Sequence, residues 1–202
     1  REALFSLLGR HGRQLHAYAN GLDRSPVSSA CQESAPKSIG NGLTFPRSLS
    51  GREEICSGIA MLSDRVAVRL RRAGMKAAGV SLAIRDPDFR DISRQRRLEP
   101  PTCLARELSQ AAVSLAEGCW NMDSPVRALT VTALYLISED QAGVQLDLLG
   151  QADAPRRDRL ERLDRTLDQI RAKYGRNAIS PASSAGVCQG GVQEEDEEGA
   201  TS

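Results

Sequence analysis

The sequence VSLAIRDPDFRDISRQRRL, residues 80–98, predicts a β-hairpin, because two extended runs flank a single turn. In the first run Val80, Leu82 and Ile84 alternate with small or polar residues, which is the period of a half-buried strand. Asp-Pro-Asp at residues 86–88 is typical of a turn. The second run carries closely spaced arginines, so we expect a hairpin with an apolar back and a basic front that suits a polyanion.

The second run contains a conflict between its apolar and its basic residues. In a regular strand the apolar residues Ile92 and Leu98 share a face with two of the arginines. Either a bulge reverses the facing between Ile92 and Arg94, or one of the two apolar residues lies outside the core. The alternative to an anion-binding surface is a solvated edge strand whose arginines discourage aggregation.

Formal charge is unevenly distributed along the chain. The 202 residues contain 27 Lys and Arg against 26 Asp and Glu, a net charge of +1. Residues 65–97 hold ten Lys or Arg and three Asp, a local balance of +7, whereas residues 193–202 hold five acidic residues and no basic one, a balance of −5. The aromatic content of 3% argues against a base-stacking single-strand binder or an RNA reader of the RRM type.

The cysteines predict reduced, intracellular thiols, because their number is odd and no pair has metal-ligand spacing. They are Cys31, Cys56, Cys103, Cys119 and Cys188. The sequence has neither an apolar run of membrane-spanning length nor a signal-peptide pattern, so we expect a cytoplasmic protein with no membrane partner. It also lacks Ser-His-Asp and Cys-His patterns, so no catalytic residue and no metal ligand is predicted. The first residue is Arg rather than Met, from which we expect a piece of a longer protein, and we expect a monomer.

Helical periodicity appears on both sides of the hairpin. A capping-box pattern at Ser50 to Glu53 opens one helix, and Pro101 precedes the other. The inward stripe of the first helix is Ile55, Ile59, Leu62, Val66 and Leu70, and that of the second is Leu104, Leu108, Ala111 and Leu115.

Two further strands are predicted at residues 38–45 and 126–137, which gives the order β-α-β-β-α-β. This order predicts an α+β fold, a four-stranded antiparallel sheet with two helices on one face. The other face is then open, and we expect Arg85, Arg94 and Arg96 on it. A short helical segment interrupted by Gly9 and Gly12 precedes the sheet, and a further helix follows, with Leu160, Leu163, Leu167 and Ile170 on one stripe. The acidic tail is predicted to be disordered.

Four segments then carry a resemblance to a known family. They are LLGRHGRQLHAYANGLDRSPV at 7–27, KSIGNGLTF at 37–45, IRDPDFRDISRQRRL at 84–98 and QLDLL at 145–149. In this order they resemble the C-terminal half of the Y-family translesion DNA polymerases, of the bacterial DNA polymerase IV kind.

The resemblance implies a domain plan and a DNA partner. Residues 1–27 would end the thumb, 28–36 would be a linker, 37–138 the little finger, 139–155 a loop with a clamp-binding motif, 156–176 a helix and 177–202 the acidic tail. The little finger of the family binds primer-template DNA through its phosphates. By position the contacts are implied for Lys37, Ser38, Ile39, Gly40, Arg85, Arg94, Arg96 and Arg97, and such contacts hold DNA without reading its sequence.

QLDLL resembles the peptide with which bacterial polymerases bind the sliding clamp. The implied clamp-binding residues are Gln145, Leu146, Asp147, Leu148 and Leu149. Leu149 stands where the family more often has Phe, which predicts weaker docking. Taken alone, the same residues would also suit a local loop or helix that packs two leucines.

The resemblance places the catalytic palm, whose carboxylates hold Mg²⁺, upstream of Arg1. We therefore expect a DNA-binding fragment of a DNA-directed DNA polymerase, a nucleotidyltransferase of damaged-DNA bypass and repair, with no cofactor in this chain. Two alternatives stay open at this point. One is a ferredoxin-like protein-interaction module, favoured if Leu134 and Leu136 lie on the open face, and the other is a short regulator that competes for the clamp.

Overall fold

A computed structural model describes residues 2–23, 25, 36–140, 154–175 and 178–179. The chain forms two compact units, residues 1–35 and residues 36–202, and each is described by itself. The first unit holds helices α1 (Glu2–Leu8) and α2 (Arg10–Ala19). Gly9, with a φ of 57°, separates them, whereas Gly12 lies inside α2, so only the first glycine interrupts the helical segment.

The second unit contains four strands and three helices within its described residues. In chain order they are β1 (Ser38–Leu49), α3 (Arg52–Arg72), β2 (Met75–Arg85), β3 (Asp91–Thr102), α4 (Ala105–Cys119), β4 (Val126–Ser138) and α5 (Ala154–Tyr174). The strands form one sheet in the order β1-β4-β2-β3, and each neighbouring pair is antiparallel. Helices α3 and α4 pack on the same face of this sheet, which confirms the predicted α+β fold.

The core lies between the sheet and the two helices. Helix α3 buries the stripe that the sequence predicts, since Ile55, Ile59, Leu62, Val66 and Leu70 are all 0% exposed. The sheet meets this stripe with Val80, Leu82 and Ile84 of β2 and with Leu129, Val131 and Ala133 of β4. Burying each large side chain contributes about 1.5–3 kcal/mol, so this layer is the main source of stability.

The start of α3 differs from the predicted capping box. Gly51 is the N-cap residue and provides no side-chain cap. Glu54, rather than Glu53, reaches back toward the start of the helix. Its carboxylate accepts a hydrogen bond from the Ser50 amide at 3.1 Å and another from the Arg47 guanidinium at 2.7 Å. The hydrogen bond from Arg47 lowers the pKa of Glu54 to about 2, so this carboxylate is charged at neutral pH. The acidic group still lies in the first helical turn, where it complements the helix dipole.

Helix α5 packs on the second unit through charged side chains. Five of its residues, spaced four and three apart, face the domain and form ion pairs. The pairs are Arg157 with Glu107 at 3.0 Å, Glu161 with Lys76 at 2.7 Å, Asp164 with Arg71 at 2.9 Å, Asp168 with Arg71 at 2.6 Å, and Arg171 with Asp64 at 2.9 Å. We call these five residues of α5 the charged seam.

The leucine stripe predicted for α5 is only partly buried. Leu160, Leu167 and Ile170 are half-buried, but Leu163 is 52% exposed. The charged seam has the same helical spacing as the leucines, and it is the seam that turns toward the domain. The predicted helix is confirmed, but its leucine stripe is not the face that turns toward the domain.

Candidate nucleic-acid interface

The sheet face opposite α3 and α4, the open face, is lined mainly by glycine, alanine, serine and threonine. Directly paired residues share a face, so the strand register sorts the open face into rows across all four strands. The rows are Ser38, Leu134, Gly79 and Arg97; Gly40, Thr132, Ser81 and Gln95; Gly42, Thr130, Ala83 and Ser93; and Thr44, Ala128, Arg85 and Asp91. Short side chains keep this surface flat, and hydroxyl groups make it polar.

The flatness of the open face depends on glycine in β1. A Cβ atom at Gly42 would lie 2.5 Å from the hydroxyl oxygen of Thr130, and one at Gly40 would lie 2.8 Å from that of Thr132. Cβ atoms do not make contacts this short, so the threonine hydroxyls occupy the space that larger residues in β1 would need. Both hydroxyls therefore stand on the surface and are able to meet a ligand.

Arg85 lies on the open face, as predicted, but its charge is already balanced. Its guanidinium forms two hydrogen bonds with the Asp91 carboxylate, at 2.7 and 2.8 Å. The hydrogen bond from Arg85 lowers the pKa of Asp91, so the pair stays charged at neutral pH. A phosphate would have to compete with Asp91 for this arginine, which makes Arg85 a weaker contact than its position alone suggests.

Arg94 and Arg96 lie on the helix-covered side of the sheet. Their register partners are Leu82 and Val80, whose side chains belong to the core. In agreement, Arg96 Nη1 lies 3.4 Å from the Ser114 hydroxyl of α4. The prediction that these two arginines lie on the open face is therefore wrong. Both remain exposed because β3 is the edge strand of the sheet.

The structure also decides between the two explanations offered for β3. Pairing with β2 is continuous from Asp91 to Arg97, so no bulge separates Ile92 from Arg94. Leu98 packs against the core, whereas Ile92 is half-buried and lies outside the core cluster. The second explanation, one apolar residue outside the core, is confirmed.

Tyr135 is a residue of the open face that the sequence analysis missed. Strict alternation with the buried Leu129, Val131 and Ala133 would turn Tyr135 inward, but its φ of 52° marks an irregularity in β4, where Leu136 packs against the core instead. Tyr135 is 50% exposed, and the guanidinium of Arg97 lies over its ring, 5.3 Å from the centroid. This cation–π contact holds Arg97 on the open face beside Gly79, where a Cβ atom would lie 2.7 Å from the ring.

The DNA contacts predicted at the start of β1 would be made partly by side chains and partly by the main chain. Lys37 and Ser38 are exposed, while the side chain of Ile39 packs against the core and only its backbone is available. The Gly40 carbonyl accepts a hydrogen bond from Arg69 of α3 at 2.9 Å, so it points away from β4. Both backbone groups of a strand residue point to the same side, and the Gly40 amide therefore also lies at the free edge.

Exposed arginines without a carboxylate partner are closely spaced on the hairpin. Within the described residues Arg90, Arg94, Arg96 and Arg97 are exposed and form no ion pair. The charged seam shows the opposite situation, because each of its residues is paired within the domain. Arg94, Arg96 and Arg97 lie within four consecutive residues, so β3 holds a dense cluster of arginine charge that is available to an anion.

The aspartates of the hairpin do not suit the Mg²⁺ site of a polymerase. Asp86 accepts the backbone amide of Arg90 at 2.8 Å and shapes the turn, and Asp91 is paired with Arg85. Carboxylates engaged in this way do not converge on a common point for a metal ion. We derive no catalytic step from them.

One cluster brings three potential metal ligands together, a thiol and two carboxylates. Ligand atoms of Cys103, Glu139 and Glu161 lie within 4.8 Å of one another. Both carboxylates are already neutralised, Glu161 by Lys76 at 2.7 Å and Glu139 by Arg165 at 2.8 Å. Burial and the neighbouring Glu161 raise the pKa of the Cys103 thiol to about 11, which keeps it protonated. The cluster is an internal charge network.

The predicted clamp-binding residues 145–149 and the acidic run 194–198 lie outside the described residues. Among the residues that are described, no helix is both long and apolar enough to cross a membrane.

Comparison with known proteins assigns the chain to a family. Residues 36–148, more than half of the chain, match the family model described as the impB/mucB/samB family C-terminal domain. The chain therefore belongs to the impB/mucB/samB family, the Y-family, and contains its C-terminal domain.

Individual relatives make the similarity more specific. The chain is 37% identical over 174 residues to a protein named DNA polymerase IV from Acetivibrio thermocellus, which covers 86% of this chain and 43% of the relative. It is 36% identical over 193 residues to DNA polymerase IV of Moorella thermoacetica, covering 94% of the chain and 46% of the relative. The chain thus spans less than half the length of these relatives.

Proposed function

We propose that this chain is the DNA-binding C-terminal part of a translesion DNA polymerase and grips primer-template DNA through its phosphates. The whole protein would be a cytoplasmic nucleotidyltransferase of damaged-DNA bypass and repair, with its Mg²⁺-binding palm in another segment. The observation that carries the proposal is the open face, a flat and polar surface with hydroxyl groups and Arg97, in a domain of this family.

The chemistry of the open face suits phosphate rather than bases. Thr130, Thr132 and Ser81 offer hydroxyl donors, and the Gly40 edge offers backbone amides. These groups bind phosphate oxygens without distinguishing base pairs. Contacts to phosphates rather than to bases give a grip that is independent of sequence, and the arginine contacts make it sensitive to salt. A polymerase that moves along distorted templates needs a grip of this kind.

Arg97→Ala is expected to weaken binding to two unrelated primer-template duplexes equally, by about five- to tenfold. Arg97 is the unpaired guanidinium on the open face, so its loss should also reduce the slope of log affinity against log salt by about one. Fluorescence anisotropy at several salt concentrations measures both quantities. Arg94→Ala and Arg96→Ala should each cost less, because these side chains reach DNA only from the rim of β3.

Arg106→Ala is the matched control, since Arg106 is an exposed arginine on α4 and its loss changes the net charge by the same amount. The phosphate assignment would be overturned by a loss restricted to one duplex sequence, or by equal losses for Arg97→Ala and Arg106→Ala.

The structure offers less support for a protein-interaction module. That alternative relied on Leu134 and Leu136 together on the open face, but Leu136 packs against the core. Leu134 and Tyr135 remain, and they form a smaller apolar area than protein-binding patches usually have.

We also propose that residues 145–149 dock on the sliding clamp, with Gln145 and Leu146 in one pocket and the final leucines in another. Gln145→Ala is expected to weaken clamp binding by about tenfold, while Leu149→Phe should strengthen it, because Phe is the more usual residue of the motif. Surface plasmon resonance with immobilised clamp measures both. Unchanged affinity in both variants would contradict the assignment and favour a local packing function for these leucines.

A further inference from the structure

Strand β3 presents unpaired arginines on both sides of a free edge. It is the last strand of the sheet, so among the described residues only β2 pairs with it. Arg94 and Arg96 project from the helix side, and Arg97 projects from the open face. An anion that lies flat on one face meets only part of this charge. A ligand that runs along the edge meets all of it.

An extended acidic peptide matches such an edge better than a nucleic acid does. A peptide can add to the sheet by backbone hydrogen bonds, and its successive side chains then point to opposite faces. In a run of consecutive acidic residues every position is a carboxylate, so both faces receive negative charge. Duplex DNA carries phosphates but has no strand backbone with which to pair.

The chain itself contains one run of this kind. Residues 194–198 read EEDEE, in which Glu194, Asp196 and Glu198 would face one side of an added strand and Glu195 and Glu197 the other. We propose that residues 194–198 bind the free edge of β3 as an added strand, neutralise Arg94, Arg96 and Arg97, and compete with DNA. The competition rests on the proposed function, whereas the contact between the acidic run and β3 does not.

The dimensions permit this contact. Five residues in extended conformation span about 13 Å, and the step from Arg94 to Arg97 spans about 10 Å. The last described residue is Ile179, whose carbonyl accepts a hydrogen bond from Arg171 of α5. Residues 180–193 then reach up to about 50 Å when extended. A domain of this size has a radius of gyration of about 13 Å, so its whole surface lies within reach.

Neutralising the acidic run is expected to strengthen DNA binding. A tethered segment acts at an effective concentration in the millimolar range. If the free segment binds as weakly as short ionic contacts do, competition weakens DNA binding by roughly three- to tenfold. The variant Glu194→Gln, Glu195→Gln, Asp196→Asn, Glu197→Gln and Glu198→Gln keeps the length of the chain and removes the competition. The gain should vanish at high salt, because the contact is electrostatic.

The contact is tested without DNA by nuclear magnetic resonance of the arginine Nε–Hε groups in the full 202-residue chain. We expect the signals of Arg94, Arg96 and Arg97 to differ between the chain and the neutral variant at low salt, and those of Arg106 to coincide. The proposal is overturned if none of the three signals differs. It is equally overturned if only Arg97 differs, which would indicate binding to the open face instead of the edge.

DNA titration of the same two proteins separates this proposal from the proposed function. If the arginine signals differ but neither protein binds duplex DNA, the strand contact stands and the DNA function fails. If both proteins bind DNA and the arginine signals coincide, the DNA function stands and the strand contact fails. Differing signals with identical DNA affinity at low salt would overturn the competition.

Discussion

Arg71→Met is expected to release helix α5 from the domain. The Arg71 side chain is 5% exposed and donates hydrogen bonds to Asp164 at 2.9 Å, to Asp168 at 2.6 and 2.9 Å, and to the carbonyl of Cys103 at 3.0 Å. Without the guanidinium, two half-buried carboxylates lose their partner, a loss that typically costs about 3–5 kcal/mol. Because α5 contacts the domain through its charged side chains, the cost should appear as undocking of α5, while the sheet with α3 and α4 stays folded.

Two local measurements would detect the release of α5. Hydrogen exchange of the backbone amides of α5 should accelerate by roughly 100-fold or more, the factor that corresponds to about 3 kcal/mol. Cys103 is fully buried and its thiol pKa is raised to about 11, so it should resist alkylation in the parent chain and react in the variant. Peptide mapping distinguishes Cys103 from the other cysteines. Unchanged exchange and unchanged reactivity would contradict a structural contribution of the charged seam.

Neutralising the two carboxylates separately should have unequal effects. Burial raises the pKa of Asp164 even though Arg71 lies beside it. A carboxyl group with a raised folded-state pKa contributes stability at low pH and loses it as pH rises through that pKa, so Asp164→Asn removes a group that is poorly stabilised when charged. We expect Asp164→Asn to cost under about 1 kcal/mol and Asp168→Asn, which breaks the two-bond contact, to cost more. Adding both asparagines to Arg71→Met should restore much of the docking.

The topology and the inward face of α3 were predictable because periodicity alone determines them. A stripe at helical spacing has one way to be buried, and two such helices on four strands leave few arrangements. The same reasoning succeeded for Val80, Leu82 and Ile84, which are central in the sheet and fully buried on one side. In α3 and β2 the apolar residues of the predicted face are all buried in the core, so the sequence periodicity and the observed burial agree.

The facing of β3 could not be predicted, because its apolar and basic residues share one side. On a central strand that combination would bury arginine, so the sequence favoured the open face. On an edge strand a long side chain on the covered side still reaches solvent, and Arg94 and Arg96 do so beside α4. The position of Tyr135 depends on a backbone irregularity with φ of 52°, for which the residue types of β4 give no signal.

The charged seam of α5 could not be predicted from the sequence for a related reason. Hydrophobic periodicity singles out the leucine stripe of α5, in which three of the four side chains are half-buried and Leu163 is exposed. The partners that decide its orientation lie on distant elements, Arg71 on α3, Lys76 on β2 and Glu107 on α4. Charge pairing across 50 residues or more leaves no local pattern in the sequence.

Thr132→Glu is expected to weaken primer-template binding roughly 100-fold, the largest loss that we expect from one substitution on the open face. Thr132 lies in the second row, between Gly40 and Ser81, near the middle of the surface. A carboxylate at this position would face the phosphates, and like charges brought together at an interface cost several kcal/mol. Anisotropy titration at low salt is the measurement, because screening reduces the repulsion.

Two controls separate charge, bulk and location. Thr132→Gln has the size of the glutamate variant without its charge, so it should cost about tenfold at most. Gln169→Glu adds the same negative charge on an exposed position of α5 and should leave binding unchanged. If glutamate and glutamine at position 132 weaken binding equally, the effect comes from bulk or misfolding, and if neither weakens it, DNA does not lie on this face. A much larger loss of affinity for Thr132→Glu than for Thr132→Gln, together with no loss for Gln169→Glu, is explained only by a sheet face that lies against phosphates.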